Sequence, residues 1–280
     1  MKAFKSAEEP ELEGGIQYHI RASPKDAKKY VLLPGDPKRA EKISEEWDER
    51  KFVARHREYV IYVGKYKGVE LMVCSTGIGG PAAAIAVEEL SRIGADTFIR
   101  VGSTGSILPE ARVGDLIISI GAVRLEGTSK QYVVPEYPAL ASYEVVMALI
   151  EAAESLGFRY HVGITASTDS FYVGQGRRGY GGYWQSWMDN LIRDLQSARV
   201  INFEMEAAAI FTLANLFGKR AGAVCAVFAD RIRDEFGVKG EMEAIRVANE
   251  AVRILAEWDA IKKRNNKMYF YPSLLREVIS

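Results

Sequence analysis

The 280-residue sequence predicts an α/β protein in which helices cover a largely parallel sheet. Short apolar runs rich in β-branched residues alternate with segments of helical period along the whole chain. Several of these runs break into turns of glycine, serine or acidic residues, which is where ligands sit in open α/β sheets. A pair joined tightly around Lys67-Gly68 adds antiparallel strands. With no repeat and no low-complexity linker, the expectation is one domain over 1–280, with a polar, frayed arm over 1–29 and a basic, aromatic tail over 262–280.

The elements follow in order. Tyr30-Val-Leu-Leu33 reads as a short buried strand. The turn after it, Pro34-Gly-Asp-Pro-Lys-Arg39, places Pro37 at a helix start. Arg39 falls in that first turn, where a cation is unfavourable unless an anion is nearby. Arg57 to Tyr66 and Val69 to Ser75 form the hairpin, and a helix is expected from Ala83 to about Ile93. Between them, Gly77-x-Gly79-x-x-Ala82 fits the dinucleotide fingerprint. The strand that should end in an acidic residue ends instead in Arg100-Val101, so the glycines read as a tight strand-to-helix crossing.

Asp96-Thr-Phe-Ile-Arg-Val-Gly-Ser-Thr-Gly-Ser-Ile107 is the central strand and turn. A guanidinium within an apolar strand requires an anionic partner, either a structural carboxylate or a bound phosphate. Further strands are expected at 114–124, 161–167, 199–203 and 221–229, a loop at 126–141, and helices at 143–156 and 241–261. Trp184 to Leu195 is amphipathic, and Glu204-Met205-Glu206 heads an alanine-rich helix.

Composition narrows the function classes. Lys and Arg total 37 and Asp and Glu total 37, so no global field recruits nucleic acid or an anionic membrane. Two cysteines in apolar runs read as reduced core residues, and three scattered histidines do not suggest a metal centre. No signal-like or membrane-spanning stretch is evident, and a cytoplasmic location is expected.

The polar groups after the strands suit a nucleoside and inorganic phosphate. Arginines and a Gly/Ser turn hold an oxyanion, a carboxylate accepts from vicinal sugar hydroxyls, and a Gln/Arg pair can read a carbonyl–NH–carbonyl edge. Leu33-Pro-Gly-Asp-Pro-x-Arg39, His56-Arg-Glu58, Cys74-Ser-Thr-Gly-Ile-Gly-Gly-Pro81, Arg100-Val-Gly-Ser-Thr-Gly105, Asp169-Ser-Phe-Tyr-x-Gly-Gln-x-Arg177 and Asn202-Phe-Glu-Met-Glu206 resemble the hexameric nucleoside phosphorylase family, nearest its uridine-cleaving branch. The resemblance runs from about Tyr18 to about Ala260.

It implies a three-layer α/β/α fold around a mixed sheet, and a homo-hexamer built as a trimer of dimers. The implied activity is pentosyl transfer: reversible phosphorolysis of uridine, with phosphate as co-substrate and no cofactor. Gly35, Arg39, Arg100 and Ser103 match phosphate ligands, and Arg57 matches an arginine reaching phosphate from the neighbouring subunit. Glu206 matches the carboxylate on the ribose hydroxyls, with Met205 packing on the sugar and Glu204 beside it. His19 matches a histidine that crosses to the neighbour's ribose 5′-OH. Thr104, Gly105 and Phe171 match positions around base and sugar, and Gln175 and Arg177 the pair that reads uracil. Arg231 is expected to help stabilise charge on the departing base.

Three positions depart from the family pattern. Ser103 stands for a threonine, which keeps the hydroxyl. Ala82 replaces a serine that helps to hold an interfacial potassium ion in some members, although Glu58 is retained. Asp230-x-Ile-Arg resembles the purine and methylthioadenosine branch, whose aspartate is a general acid; shifted by one residue, Asp230-Arg231 matches the uridine branch. The tail after Lys267 has no recognised counterpart, and packing on a neighbouring subunit is the expectation for it.

Overall fold

The computed structural model describes residues 6–278; positions 1–5 of the arm and 279–280 of the tail lie outside the described residues. Strand β1 (Tyr30–Pro34) is buried along its whole length. Helix α1 (Pro37–Glu45) follows at once, because Asp36 accepts from the Lys38 amide at 2.8 Å and Pro37 sits in its first turn. The hairpin strands are β3 (Tyr59–Tyr66) and β4 (Val69–Cys74). Lys67 and Gly68 both take positive φ, 46° and 80°, as the tight two-residue turn demands.

An antiparallel strand outside the expected set, β2 (Glu49–His56), flanks β3 at the sheet edge. Its charged start, Glu49-Arg-Lys, hides it from a reading of apolar runs, because an exposed edge strand buries little. Helix α2 (Gly80–Ile93) starts three residues earlier than expected and stops at Gly94, whose φ is 118°.

Strand β5 (Thr97–Ser106) is the hub. It pairs in parallel with β1 on one side and with β10 (Arg220–Asp230) on the other. Its last residues, Gly105 and Ser106, pair antiparallel with Phe203 and Asn202 of β9 (Val200–Glu204). From β10 the pairing passes to β6 (Leu116–Arg124), then β8 (Tyr160–Ser167), then β9, and so back to β5. The mixed sheet thus closes a five-strand ring at one end, while β1, β4, β3 and β2 extend flat from it.

Two apolar layers flank the sheet, giving the three-layer α/β/α arrangement. Alternation along β1 sends Leu32 towards α1, α4 (Tyr143–Leu156) and α7 (Glu241–Arg264), and sends Val31 and Leu33 towards α2 and α6 (Ala207–Leu216). Both cysteines are fully buried and unpaired. Burial pushes both thiols up, Cys225 to about 11.

The two ends of the chain are both tied to its own body, which for the arm differs from expectation. The arm is not frayed near the domain: Ile20 and Ala22 are fully buried against α2, where Glu89 accepts the Ile20 amide at 2.8 Å. The tail packs on its own chain. Phe270 stacks on Trp258 with ring centres 4.1 Å apart, Leu274 is fully buried, and the Tyr143 hydroxyl donates to the Phe270 carbonyl.

Two inner segments differ as well. The 126–141 stretch contains a short helix, α3 (Thr128–Tyr132), and a short strand, β7 (Ala139–Leu140). The amphipathic stretch from Trp184 makes a single 3-10 turn at Ser186–Met188 before α5 (Leu191–Ser197). Among the described residues no helix is long and apolar enough to cross a membrane.

Candidate active site

A cavity of about 640 Å³ opens at the C-terminal ends of β1, β5, β9 and β10. Its wall brings together Gly35, Arg39, Arg100, Ser103, Thr104, Gly105, Phe171, Gln175, Arg177, Glu204, Met205 and Glu206, all singled out by the sequence. They come from strands, a helix start and loops separated by most of the chain, and only the sheet topology makes them neighbours.

At one end the Arg100 guanidinium lies between two buried carboxylates. Its Nε is 2.7 Å from Glu204 Oε2 and its Nη2 is 2.5 Å from Glu206 Oε2. The Nε contact is ionic without an aligned hydrogen bond, which leaves a buried N–H unsatisfied. Burial works against the charge on Arg100, but Glu206 and Glu204 outweigh it and raise the pKa further above its ordinary value. For Glu206, burial pushes the pKa up; Arg100 opposes this, and the Glu204 charge adds to it. Of the two anionic partners anticipated for Arg100 the structure shows the carboxylate, on a residue that also lines the cavity.

Glu204 also fastens α6: its Oε2 accepts from the Glu206 and Ala207 amides at 2.8 Å each. Glu206 Oε1 accepts the Gly79 amide at 2.5 Å. That amide belongs to the N-terminus of α2, where the dinucleotide fingerprint would place a pyrophosphate. The protein's own carboxylate takes that position, so the glycines serve the crossing, as their sequence context indicated.

The unfavourable position of Arg39 is also resolved from within. Its Nε donates to Glu241 Oε1 at 2.9 Å and its Nη1 to the Val101 carbonyl at 3.3 Å. Gly35 is tightly hemmed, since a Cβ there would come within 3.0 Å of the Gly77 carbonyl oxygen. The Ser103 hydroxyl has no partner among the described residues.

At the other end the loop after β8 carries Gln175, which is 2% exposed. Arg177 Nη1 donates to Gln175 Oε1 at 2.7 Å and to the Phe171 carbonyl at 2.6 Å, and its guanidinium lies 4.1 Å from the Phe171 ring centre. Gln175 Nε2 donates to Thr168 Oγ1 at 3.3 Å, which fixes which way the amide faces. Burial first, and Arg231 second, lower the Arg177 pKa to about 10, so it stays charged at neutral pH. Arg231 stands behind this wall, donating to the Gln175 and Gly176 carbonyls at 2.6 and 3.1 Å. It braces the loop.

Asp230 is absent from the cavity wall. Its carboxylate accepts the Ile232 and Arg233 amides at 3.0 Å each and pairs with the Arg233 guanidinium at 2.6 Å. Burial alone would raise its pKa, but these contacts prevail and hold it below the usual carboxylate range. A general acid needs the opposite shift.

His19 and Arg57 also lie off the cavity. His19 Nδ1 is 2.7 Å from Glu89 Oε1, and its carbonyl accepts from His56 Nδ1. Arg57 is exposed in the β2–β3 turn with φ of +55°, a strained conformation for a non-glycine residue. The sequence reading missed Phe228 and Phe236, which also line the cavity, the latter 76% exposed at its mouth. An aromatic ending a strand carries no signal that separates a pocket wall from a core.

For an interfacial potassium ion the donor set is depleted. Ala82 has no hydroxyl and its carbonyl already accepts from the Tyr59 hydroxyl at 3.0 Å, so the residues present do not make that site. Among the described residues no group of three or more His, Cys, Asp or Glu could hold a metal.

The cavity at the strand ends thus carries paired arginines and carboxylates at one end and the Gln175–Arg177 pair at the other, in an α/β protein. The chain belongs to the phosphorylase superfamily, whose family profile it matches over residues 29–257. It is 64% identical over 274 residues to the uridine phosphorylase of Thermococcus kodakarensis, covering 98% of this chain and 99% of that protein. Identity to the uridine phosphorylase of Escherichia coli is 41% over 231 residues, 80% of this chain and 91% of that one. A guanosine phosphorylase from Halorubrum lacusprofundi is 41% identical over 211 residues, 75% and 82% of the two chains.

Proposed function

We propose that this protein catalyses the reversible phosphorolysis of uridine, yielding uracil and ribose 1-phosphate. The observation that carries the reading is the pair of buried Gln175 and half-buried Arg177 on the cavity wall, whose amide orientation suits the O2, N3–H, O4 edge of uracil. The high identity to a uridine phosphorylase over nearly the whole of both chains supports it.

In this reading phosphate is a co-substrate, held by Gly35, Arg39, Arg100 and Ser103, and no cofactor is required. Glu206 accepts from the ribose hydroxyls, with Met205 against the sugar. As the C1′–N1 bond lengthens, the sugar gains oxocarbenium character and phosphate attacks its opposite face. The electron pair of the broken bond leaves with uracil, where Gln175 and Arg177 stabilise the charge by preorganised donors. The deciding assay offers uridine, thymidine, inosine and guanosine with and without phosphate. Phosphate-dependent release of uracil from uridine in preference to any purine supports the proposal; preferential purine release refutes it.

The proposal extends to assembly as a hexamer, a trimer of dimers, with His19 and Arg57 serving a neighbour's cavity, and to a cytoplasmic location. The support for a shared site is that both residues lie off the chain's own cavity, Arg57 exposed and strained. Mixing inactive His19→Ala and Glu206→Ala protomers is then expected to regain part of the activity. Subunit exchange without any regain would sink the shared-site idea.

A further inference from the structure

A chain of buried hydrogen bonds crosses four strands and ends at the cavity. The Ser119 hydroxyl on β6 lies 2.6 Å from Thr165 Oγ1 on β8. Thr165 donates to Asn202 Oδ1 on β9 at 2.8 Å. Asn202 Nδ2 donates to Thr104 Oγ1 on β5 at 2.8 Å, and Thr104 donates to the Phe203 carbonyl at 2.6 Å. Ser119, Thr165 and Asn202 are fully buried and Thr104 is 6% exposed.

The direction of every proton is set. An amide Nδ2 can only donate and a backbone carbonyl can only accept. Thr104 must therefore take the Asn202 bond on a lone pair and give its single proton to Phe203. Thr165 gives its proton to Asn202, so Ser119 must donate to Thr165. Anything Thr104 Oγ1 still offers a ligand is a lone pair. Its neighbour Ser103, on the same cavity wall, keeps a proton free to donate. The two adjacent hydroxyls thus have opposite polarity: Ser103 can serve a phosphate oxygen, whereas Thr104 can serve only an O–H or N–H of the nucleoside.

We infer that Asn202 is a positioning residue that locks the Thr104 hydroxyl as an acceptor, so that this part of the cavity takes a nucleoside donor and refuses phosphate. The inference rests on the functional reading above. Its test uses Thr104→Val, which keeps the shape and removes the hydroxyl, together with Thr104→Ser, Asn202→Ala and the double variant Asn202→Ala/Thr104→Val. Uridine KM, phosphate KM and kcat are measured separately for each.

Thr104→Val is expected to raise uridine KM about tenfold and to leave phosphate KM within about twofold, the scale of one lost hydrogen bond in a buried site. Thr104→Ser should recover most of that loss. Asn202→Ala should raise uridine KM about fivefold alone and add nothing in the Thr104→Val background, because both act through one hydroxyl. A general loosening of the sheet would add in the double variant and move both KM values. Additive effects, or a phosphate KM that rises with uridine KM in Thr104→Val, overturn the inference. A parent that releases no uracil refutes the functional reading instead. Calorimetry with inorganic phosphate alone then decides the polarity claim, since Thr104→Val must leave phosphate affinity unchanged for it to stand.

Discussion

Replacing Arg100 with alanine is expected to produce the largest loss of any single change at this site. Three buried charged groups meet there, with Arg100, Glu204 and Glu206 side chains 5%, 0% and 4% exposed. Removing the cation strands two carboxylates a few ångströms apart in a dry environment. Breaking a buried pair in this way costs about 3–5 kcal/mol of stability. Loss of a charge-assisted contact to phosphate costs a further ~1.5–3 kcal/mol, about ten- to a hundredfold in phosphate use. Steady-state kinetics and urea titration of Arg100→Ala and Arg100→Lys separate the two effects, the lysine retaining the charge without the fork. If Arg100→Ala keeps the phosphate KM of the parent, Arg100 does not hold phosphate.

The second large effect is expected at Gln175. In the reading proposed above Gln175 offers uracil one acceptor and one donor, and two hydrogen bonds of about 0.5–1.5 kcal/mol each go with its amide, along with its contact to Arg177. Gln175→Ala should therefore lower kcat/KM on uridine at least tenfold and narrow the preference over inosine and guanosine. Asp230→Asn is the control. Because its carboxylate faces Arg233 and two backbone amides, away from the cavity, it should change kcat/KM on uridine less than twofold. A parent that prefers a purine nucleoside and loses that activity in Asp230→Asn would restore Asp230 as a general acid.

Many cavity residues could be read from the chain because glycine and polar residues mark the ends of its apolar runs, although Gly102 to Gly105 continue β5 rather than forming the turn expected there. The strands themselves were legible for the same reason: Tyr30 to Leu33 and Ala221 to Ala229 are buried on both faces and so form unbroken apolar runs. Strand β2 was not, since pairing with β3 gives it form without burying its charged start. The arm was misread as frayed because the carboxylate that anchors it, Glu89, comes from a helix seventy positions away. Asp230 is the clearest case. Its resemblance to the purine branch left a general acid as the alternative to the uridine register, and only the position of Arg233 shows a carboxylate committed elsewhere.

The three-neighbour strand β5 has a consequence for how members of this superfamily diverge. Arg100 pairs with both β1 and β10, and Gly105 with both β9 and β10, so a change along the cavity floor disturbs two pairings at once. Phe171 on the loop after β8 and Phe236 at the edge of the ring stand on the rim, where a substitution disturbs little beyond itself, whereas Phe228 packs against the core. Variation tolerated by selection should accumulate on that rim and spare the floor. A uridine phosphorylase and a guanosine phosphorylase can then stand equally far from this chain, both at 41% identity. The floor of such a cavity can then hold steady while its rim changes from one relative to the next.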